Sequence, residues 1–498
     1  MASIECMEKE FMEYVQKMQA YKETLHLLSW DLRTGAPAKG KKQRFQVIGM
    51  LSAELFHMSV SEEMAAYIAN LSTAVDRLAP TTKILIKECQ KEYEMNKKIP
   101  VDEYQEYTLW QSRSEMVWEQ ARISNDFGLI QPYLEKILQY KRRFIDYWGY
   151  EENKYDALLH LYEPGLTVRR LDEVFGRLKQ ELLPLVQKFP AADKNSPSFL
   201  TCRFPAEQQK AFCLEILEKF GFDFEAGRLD ETVHPFAIGL NPGDVRITTR
   251  YDEHDFRVAI FGAFHEAGHA IYEQNIAPAL VGTTVCDGAS MGIHESQSLF
   301  YENFIGRSRA FWKRNYRLLQ TYSSGQLDRV SEDEFYRSIN VPQRSLIRME
   351  ADEWTYPVHI IIRYEIEKAL INGELGVEDL PGVWNQKYSE YLQVVPDHHA
   401  NGVLQDIHWY SGDFGYFPSY GIGYICAAQL HHYIKQDLPF EQLLEEGDFQ
   451  PIKHWLTERI HRYGKTKTPA ELIMSATGES LNPNYLMNYL LDKYKSLY

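Results

Sequence analysis

Cysteine is scarce in this 498-residue chain: Cys6, Cys89, Cys202, Cys213, Cys286 and Cys426 are spread along its whole length. They have neither zinc-ribbon spacing nor the density of a disulfide scaffold, so both architectures are excluded and reduced, mostly buried thiols are expected. No apolar run reaches the ~18 residues that a membrane-spanning helix requires. The amino terminus is mixed in charge and lacks the basic and apolar regions of a secretory signal, which points to a cytoplasmic protein. Positive charge is in deficit, with 54 Lys and Arg against 70 Asp and Glu for a net charge of −16. Such a surface disfavours nucleic acid and anionic membranes, because both need Lys and Arg to neutralise phosphate. The 44% of hydrophobic residues nevertheless provide ample material for a large core.

Helical periodicity fills most of the chain. Phe11, Val15, Met18, Tyr21, Leu25 and Leu28 predict an amphipathic helix from Ile4 to about Leu28, broken by the Gly and Pro of the stretch Trp30 to Pro37. Trp30 and Arg33 read there as residues packed beneath a loop, with substrate contact as the alternative. Further helices are predicted from Arg44 to Asn70, Thr81 to Lys97, Asp102 to Ile123, Gln131 to Trp148 and Val168 to about Lys188. Turn residues cluster between Pro190 and Arg203. The period then changes, because Thr232 to Ile238 and Asp244 to Tyr251 carry β-branched residues in partial alternation on either side of the turn Leu240-Asn241-Pro242-Gly243. A small antiparallel sheet is predicted, either propping the next helix or offering an edge to an extended peptide. After Tyr424 the chain returns to helix.

That next helix, from about Asp255 to Gln274, contains Phe264-His265-Glu266-Ala267-Gly268-His269-Ala270. His265 and His269 are four apart, so on a helix their imidazoles stack on one face, one turn apart, and both can reach one metal ion. Glu266 lies on an adjoining part of that surface, placed to approach a metal-bound water. Zinc with two histidines, a third ligand and an open position lowers the pKa of such a water to roughly 7, and the glutamate takes its proton. Ala267, Gly268 and Ala270 leave backbone room around the ligands. A buried His-Glu-His face with no metal would be costly to satisfy.

The third ligand must come from elsewhere in the chain. Glu273 is nearest, but a third ligand on the same straight helix makes the set nearly linear. Glu295, opening an apolar helix through Leu299, Phe300, Phe304 and Ile305, can approach from a crossing direction; His294 stays open as the alternative. Cys286 reads as a small structural residue. A metzincin arrangement would need glycine at position 272 and histidine at position 275, where the chain has Tyr272 and Asn275, so that class is excluded.

Six blocks make a resemblance specific: His234-Pro235-Phe236, Asp244 to Thr248, His265 to His269, His294-Glu295-Ser296-Gln297, Ile347 to Asp352, and Gly402 to Trp409. Together and in this order they resemble the M32 carboxypeptidase family, the thermostable carboxypeptidase Taq type. The fold so expected is mainly α, a large helical zincin-type architecture with a deep central groove and the small antiparallel β-sheet beside the metal helix. It is expected to form a single peptidase domain over 1–498, helical to about 230, with the sheet and metal core at about 231–425 and helices beyond 426. The resemblance implies a zinc-dependent metallocarboxypeptidase, with cobalt as the alternative ion, that is homodimeric and releases residues with broad specificity from peptides with a free C-terminus. Matching motifs assign the metal ligands to His265, His269 and Glu295, and the general base to Glu266.

An exopeptidase must recognise a terminal carboxylate, and a buried arginine does so by paired, charge-assisted hydrogen bonds. By spacing alone Arg348 reads as a salt-bridge partner of Asp352; the resemblance turns it toward the substrate. His408 and Tyr420 are candidate oxyanion donors, and Tyr420 can alternatively hold the carboxylate. His234 and Gln405 are candidate substrate-binding residues, Gln405 equally a fastener of its neighbours. His398, His399 and Tyr416 read as supporting or core residues. Two rivals stand beside this reading: an endopeptidase or dipeptidyl-type zincin on the same metal core, and a zinc-stabilised binding or scaffold protein, against which the presence of Glu266 argues.

Overall fold

The computed structural model describes residues 3–190 and 197–497; residues 191–196 of the expected turn cluster lie outside the described residues. The first helix, Ile4–Thr34, starts where the Ser3 side chain accepts a hydrogen bond from the Cys6 N–H and buries Phe11, Val15, Met18 and Trp30. It runs past the expected end at Leu28, because the helix-breaking residues begin only at Gly35. Trp30 is therefore helical; its ring packs 5.4 Å from that of Phe236, with the Arg33 guanidinium 4.9 Å above the same Phe236 ring. Trp30 is buried on this helix rather than beneath a loop, and Arg33 is exposed.

The predicted helix over Arg44 to Asn70 is two helices, Lys41–Ser59 and Glu62–Ser72. Ser61 interrupts it by accepting a hydrogen bond from Met64 N–H, with Glu62 and Glu63 in the turn that follows. This cap chemistry outweighs unbroken periodicity. Helices Pro80–Lys97, Val101–Ser124, Phe127–Trp148, Asp156–Tyr162, Val168–Val186 and Ala206–Phe220 complete the helical first part.

The sheet has three strands, β1 (Gly227–Glu231), β2 (Ala237–Asn241) and β3 (Asp244–Thr249), in the order β1-β3-β2. β2 and β3 form the expected antiparallel hairpin, but β1 runs parallel to β3, so the sheet is mixed. Residues 232–236, expected to be strand, are the connection that carries the chain from one edge to the other. β1 gave no alternation signal, since Leu229 is its one apolar residue. The β2 edge lies against the first helix, where His26 Nδ1 is 2.8 Å from the Gly239 carbonyl and Asn241 donates to Glu23 at 3.0 Å. β3 packs its buried Val245 and Ile247 under the next helix, and Thr249 Oγ1 donates to the Ala259 carbonyl at 3.1 Å.

That helix, Phe256–Gln274, is crossed by Met291–Leu299, which is capped by Ser290 and continues as a π-helical segment, Phe300–Gly306. The crossing is close: a Cβ on Gly268 would lie 2.3 Å from the Gln297 carbonyl oxygen. The long helix Phe417–Asp437 closes on the other side, where a Cβ on Gly423 would lie 2.7 Å from the Glu295 Cβ. The last helix, Asn484–Lys495, is docked through the buried pair of Lys493 and Glu353. None of the described helices is long and apolar enough to cross a membrane.

Asp287, in the loop before the Glu295 helix, ties the first helix and the C-terminal part to this core through Lys22 (3.0 Å) and Lys465 (2.8 Å). Burial opposes its charge, yet the two ammonium groups hold its carboxyl well below the usual range. A carboxyl depressed on folding adds stability that is present above its unfolded pKa and lost as pH falls toward the folded one. Asp287→Asn is expected to cost about 1–2 kcal/mol at pH 7, below the figure for a fully buried pair because a third of the side chain meets solvent. In denaturation measured across pH, the deficit should shrink below about pH 4; equal stability of variant and parent at pH 7 would contradict it.

Candidate metal centre

The four-residue spacing does what helix geometry requires. The rings of His265 and His269 lie 5.0 Å apart on one face. Each Nε2 points toward Glu295 Oε2, at 3.7 Å from His265 and 3.5 Å from His269. The three donor atoms all lie within 4.8 Å of one another. Behind them, His265 Nδ1 is 3.0 Å from Glu302 Oε2 and His269 Nδ1 is 3.0 Å from the His294 carbonyl. In the neutral tautomers that donate Nδ1–H to these acceptors, the Nε2 lone pairs face the space beside Glu295.

The other candidates for third ligand turn elsewhere. Glu273 Oε1 is 2.9 Å from His294 Nε2, and His294 Nδ1 is 2.6 Å from His269 Nδ1, so this pair stands behind His269. Cys286 is not in the cluster.

The donor set fits a divalent cation. Glu295 Oε1 is buried with no hydrogen-bond partner, an arrangement that costs free energy unless a cation satisfies it. Burial raises the Glu295 carboxyl and opposes charge on His265, yet Glu295 and Glu302 bring the His265 pKa up to about 10. The field that draws a proton onto His265 draws a metal ion equally. Burial and the adjoining imidazoles hold His269 well below its ordinary value. Glu266 is 8% exposed, and burial pushes its carboxyl up to about 7, with His265 opposing the shift and Glu295 reinforcing it.

Arg348 is buried but does not pair with Asp352. It sits in a single 3₁₀ turn, Arg348–Glu350, in which the i,i+4 relation of a longer helix does not exist. Asp352 instead accepts from the backbone N–H groups of Gln343 and Trp354. Arg348 directs Nε (3.0 Å) and Nη2 (2.9 Å) to Asp406 Oδ1, leaving Nη1 out of that pair. Arg363, fully buried on the helix Tyr356–Asn372, donates from Nε to Asp406 Oδ2 at 2.7 Å. One buried carboxylate thus aims two arginines. Gln405 is spent inside the protein: Oε1 accepts from the Arg348 N–H (3.0 Å) and Arg363 Nη2 (2.9 Å), while Nε2 donates to the Asn401 carbonyl (3.0 Å).

The Tyr420 ring lies 4.9 Å below the Arg348 guanidinium, and its hydroxyl is 3.1 Å from His408 Nε2. Burial holds His408 down to about 3, and its Nδ1 is buried without a partner. Tyr416 packs its ring 5.1 Å from that of Tyr420. His234, exposed in the connection between β1 and β2, sits among Arg122, Arg250 and Glu119, apart from the ligand cluster. His398 is exposed beside Asp397, and His399 packs against Phe127. Sequence reasoning missed Glu302, Arg363 and Asp406. Glu302 left a faint signal, a carboxylate two helical turns beyond Glu295, and Asp406 adjoins the chosen Gln405; Arg363 left none.

Known metallopeptidases resemble the chain over most of its length. A family model described as carboxypeptidase Taq (M32) metallopeptidase matches residues 10–494. Carboxypeptidase 1 of Bacillus subtilis is 54% identical over 99% of this chain and 98% of that protein, and thermostable carboxypeptidase 1 of Thermus thermophilus is 38% identical over 97% of each. Among solved structures, metallocarboxypeptidase 1 of Trypanosoma cruzi matches with a TM-score of 0.91 at 34% identity, over 98% of this chain and 99% of that one. Matched by this family model over residues 10–494, the chain belongs to the M32 family of metallocarboxypeptidases.

Proposed function

We propose that this metallocarboxypeptidase is zinc-dependent, shortens peptides from a free C-terminus with broad specificity, and uses Glu266 to move the proton. The observation that carries the reading is the convergence of the two Nε2 atoms and the Glu295 carboxylate beside a buried Glu266 whose carboxyl is pushed up to about 7. Two imidazoles and one carboxylate with a position left open form the donor set of a catalytic zinc. Cobalt accepts the same ligands and is the alternative ion. A divalent ion held by His265, His269 and Glu295 supplies Lewis acidity at the scissile carbonyl and acidifies water there.

Glu266 accepts a proton from the attacking water and passes it to the leaving amine. Arg348 is read as the group that holds the terminal carboxylate through its remaining N–H donors, with Asp406 and Arg363 fixing its direction. Tyr420 and His408 are read as one unit at the developing oxyanion. His408 is neutral, and when its Nε2–H donates to the Tyr420 oxygen the phenolic hydrogen is free for the substrate. Gln405 is read as the fastener of the two arginines, and His234 as a contact farther along the peptide. The whole chain is read as one peptidase domain. Its homodimeric state rests on the family resemblance, and a reducing, cytoplasmic setting on cysteines none of which is paired.

Glu266→Gln is expected to keep one metal ion per chain and the parental fold while lowering turnover by about 10²–10⁴-fold. Metal analysis beside peptide hydrolysis checks this, and parental turnover would remove Glu266 as the base. Incubated with a mixed-sequence peptide, the enzyme should yield a ladder shortened one residue at a time by mass spectrometry, and should spare the same peptide as its C-terminal amide. Arg348→Gln should lower kcat/KM on the free acid by roughly 10–100-fold. Internal cleavage, or equal rates on acid and amide, would favour the endopeptidase; no turnover with metal bound would favour the scaffold.

A further inference from the structure

The two histidines on the metal helix are backed differently. His269 Nδ1 meets a backbone carbonyl, which the fold supplies whatever the side chains are. His265 Nδ1 meets a side chain, Glu302, and the local backbone is unusual at that point. Glu302 lies seven residues after Glu295, in the π-helical segment Phe300–Gly306. On an unbroken α-helix, positions seven apart point in directions only about 20° apart. Both carboxylates would then follow one line along the helix. The wider turn of the π segment swings Glu302 off that line, so that Glu295 meets the Nε2 edge of His265 and Glu302 its Nδ1 edge.

The far end of the segment is clamped to the metal helix beside the same histidine. A Cβ on Gly306 would lie 2.6 Å from Phe264 Cδ2, so only glycine allows this approach, and the Arg307 guanidinium lies 4.0 Å over the Phe261 ring, one turn before His265. Arg307 Nη2 donates to Glu302 Oε1 at 3.1 Å, and its Nη1 donates to the Ile339 carbonyl at 3.1 Å. Both carboxylate oxygens are therefore committed, one to an arginine and one to an imidazole.

We propose that Glu302, swung into place by the π-helical segment and braced by Arg307, is the positioning residue that fixes His265 with its proton on Nδ1 and its lone pair on the metal side. This rests on the metal reading above and adds to it a residue outside the ligand set. An ionised carboxylate only accepts hydrogen bonds, so His265 must donate from Nδ1, and the neutral ring that binds a metal then has its lone pair on Nε2. An amide of the same shape fails. The side chain of Glu302→Gln would have one acceptor oxygen for two donors; Arg307 cannot accept, so when the oxygen goes to Arg307 the NH₂ faces Nδ1 and favours the tautomer that blocks the metal.

The test is metal affinity, measured on the full-length chain by competition with a chromogenic chelator for Zn²⁺ and by the visible spectrum of the Co²⁺-loaded protein. Glu302→Gln should keep parental helicity, weaken Zn²⁺ binding by about 10–100-fold and change the Co²⁺ spectrum. Glu302→Gln combined with Arg307→Met frees the amide oxygen for His265 and should recover part of that affinity. Should Glu302→Gln fail to fold, Glu302→Asp carries the same comparison, since it keeps both acceptor oxygens but falls one methylene short of the ring. Parental affinity and spectrum in Glu302→Gln, or in Glu302→Asp where that is used, overturn the role of Glu302 alone, and a double variant no tighter than the single overturns the competition for one oxygen. A parent chain that binds no metal overturns the metal reading and this inference with it.

Discussion

Two imidazoles can share one ion only if each turns an unprotonated ring nitrogen toward it, and a histidine by itself does not choose which nitrogen carries its proton. In this chain the choice is made from behind. The Nδ1 atoms of His265 and His269 rest on a carboxylate and a carbonyl, and the Nε2 atoms are left to converge with Glu295. Everything nearby serves that convergence. The helix spacing sets the two rings side by side, the crossing helix brings the third donor, and burial keeps water from competing with the acceptors.

The convergence depends on backbone contact as much as on polar groups. Gly268 lets the crossing helix approach the metal helix at Gln297, and Gly423 lets a third helix press on the Glu295 side chain. Glu163 accepts a hydrogen bond from Gly292 N–H in the first turn of the Glu295 helix, although burial pushes its carboxyl up to about 7. A larger residue at either glycine would move a ligand or the helix bearing it. The Asp406 cluster follows the same logic, since one buried carboxylate and the Gln405 amide hold two guanidinium groups in fixed directions.

The sequence made the helical character and the ligand motif legible because both rest on short-range periodicity: four residues for the histidines, an apolar repeat for the helices. The need for a crossing direction set aside Glu273 and left Glu295 with His294 beside it, and the family resemblance then pointed to Glu295. What escaped had no local signature. β1 has one apolar residue and pairs with β3 in parallel, so nothing in residues 227–231 announces a strand. Arg348 and Asp352 have the spacing of a helical ion pair, but the turn that contains Arg348 is too short for the rule to apply. Glu302 owes its direction to a change of helical winding, and Arg363 meets Asp406 across forty-three residues of chain. Packing decides such contacts, and pattern does not record them.

The central claim concerns which atoms meet the ion, and anomalous diffraction from crystals of the zinc-loaded protein at the zinc edge tests it most directly. The account predicts one peak per chain at about 2.0–2.2 Å from Nε2 of His265, Nε2 of His269 and a carboxylate oxygen of Glu295. A peak on the Nδ1 side of either ring, or one shared between His294 and Glu273, would contradict it.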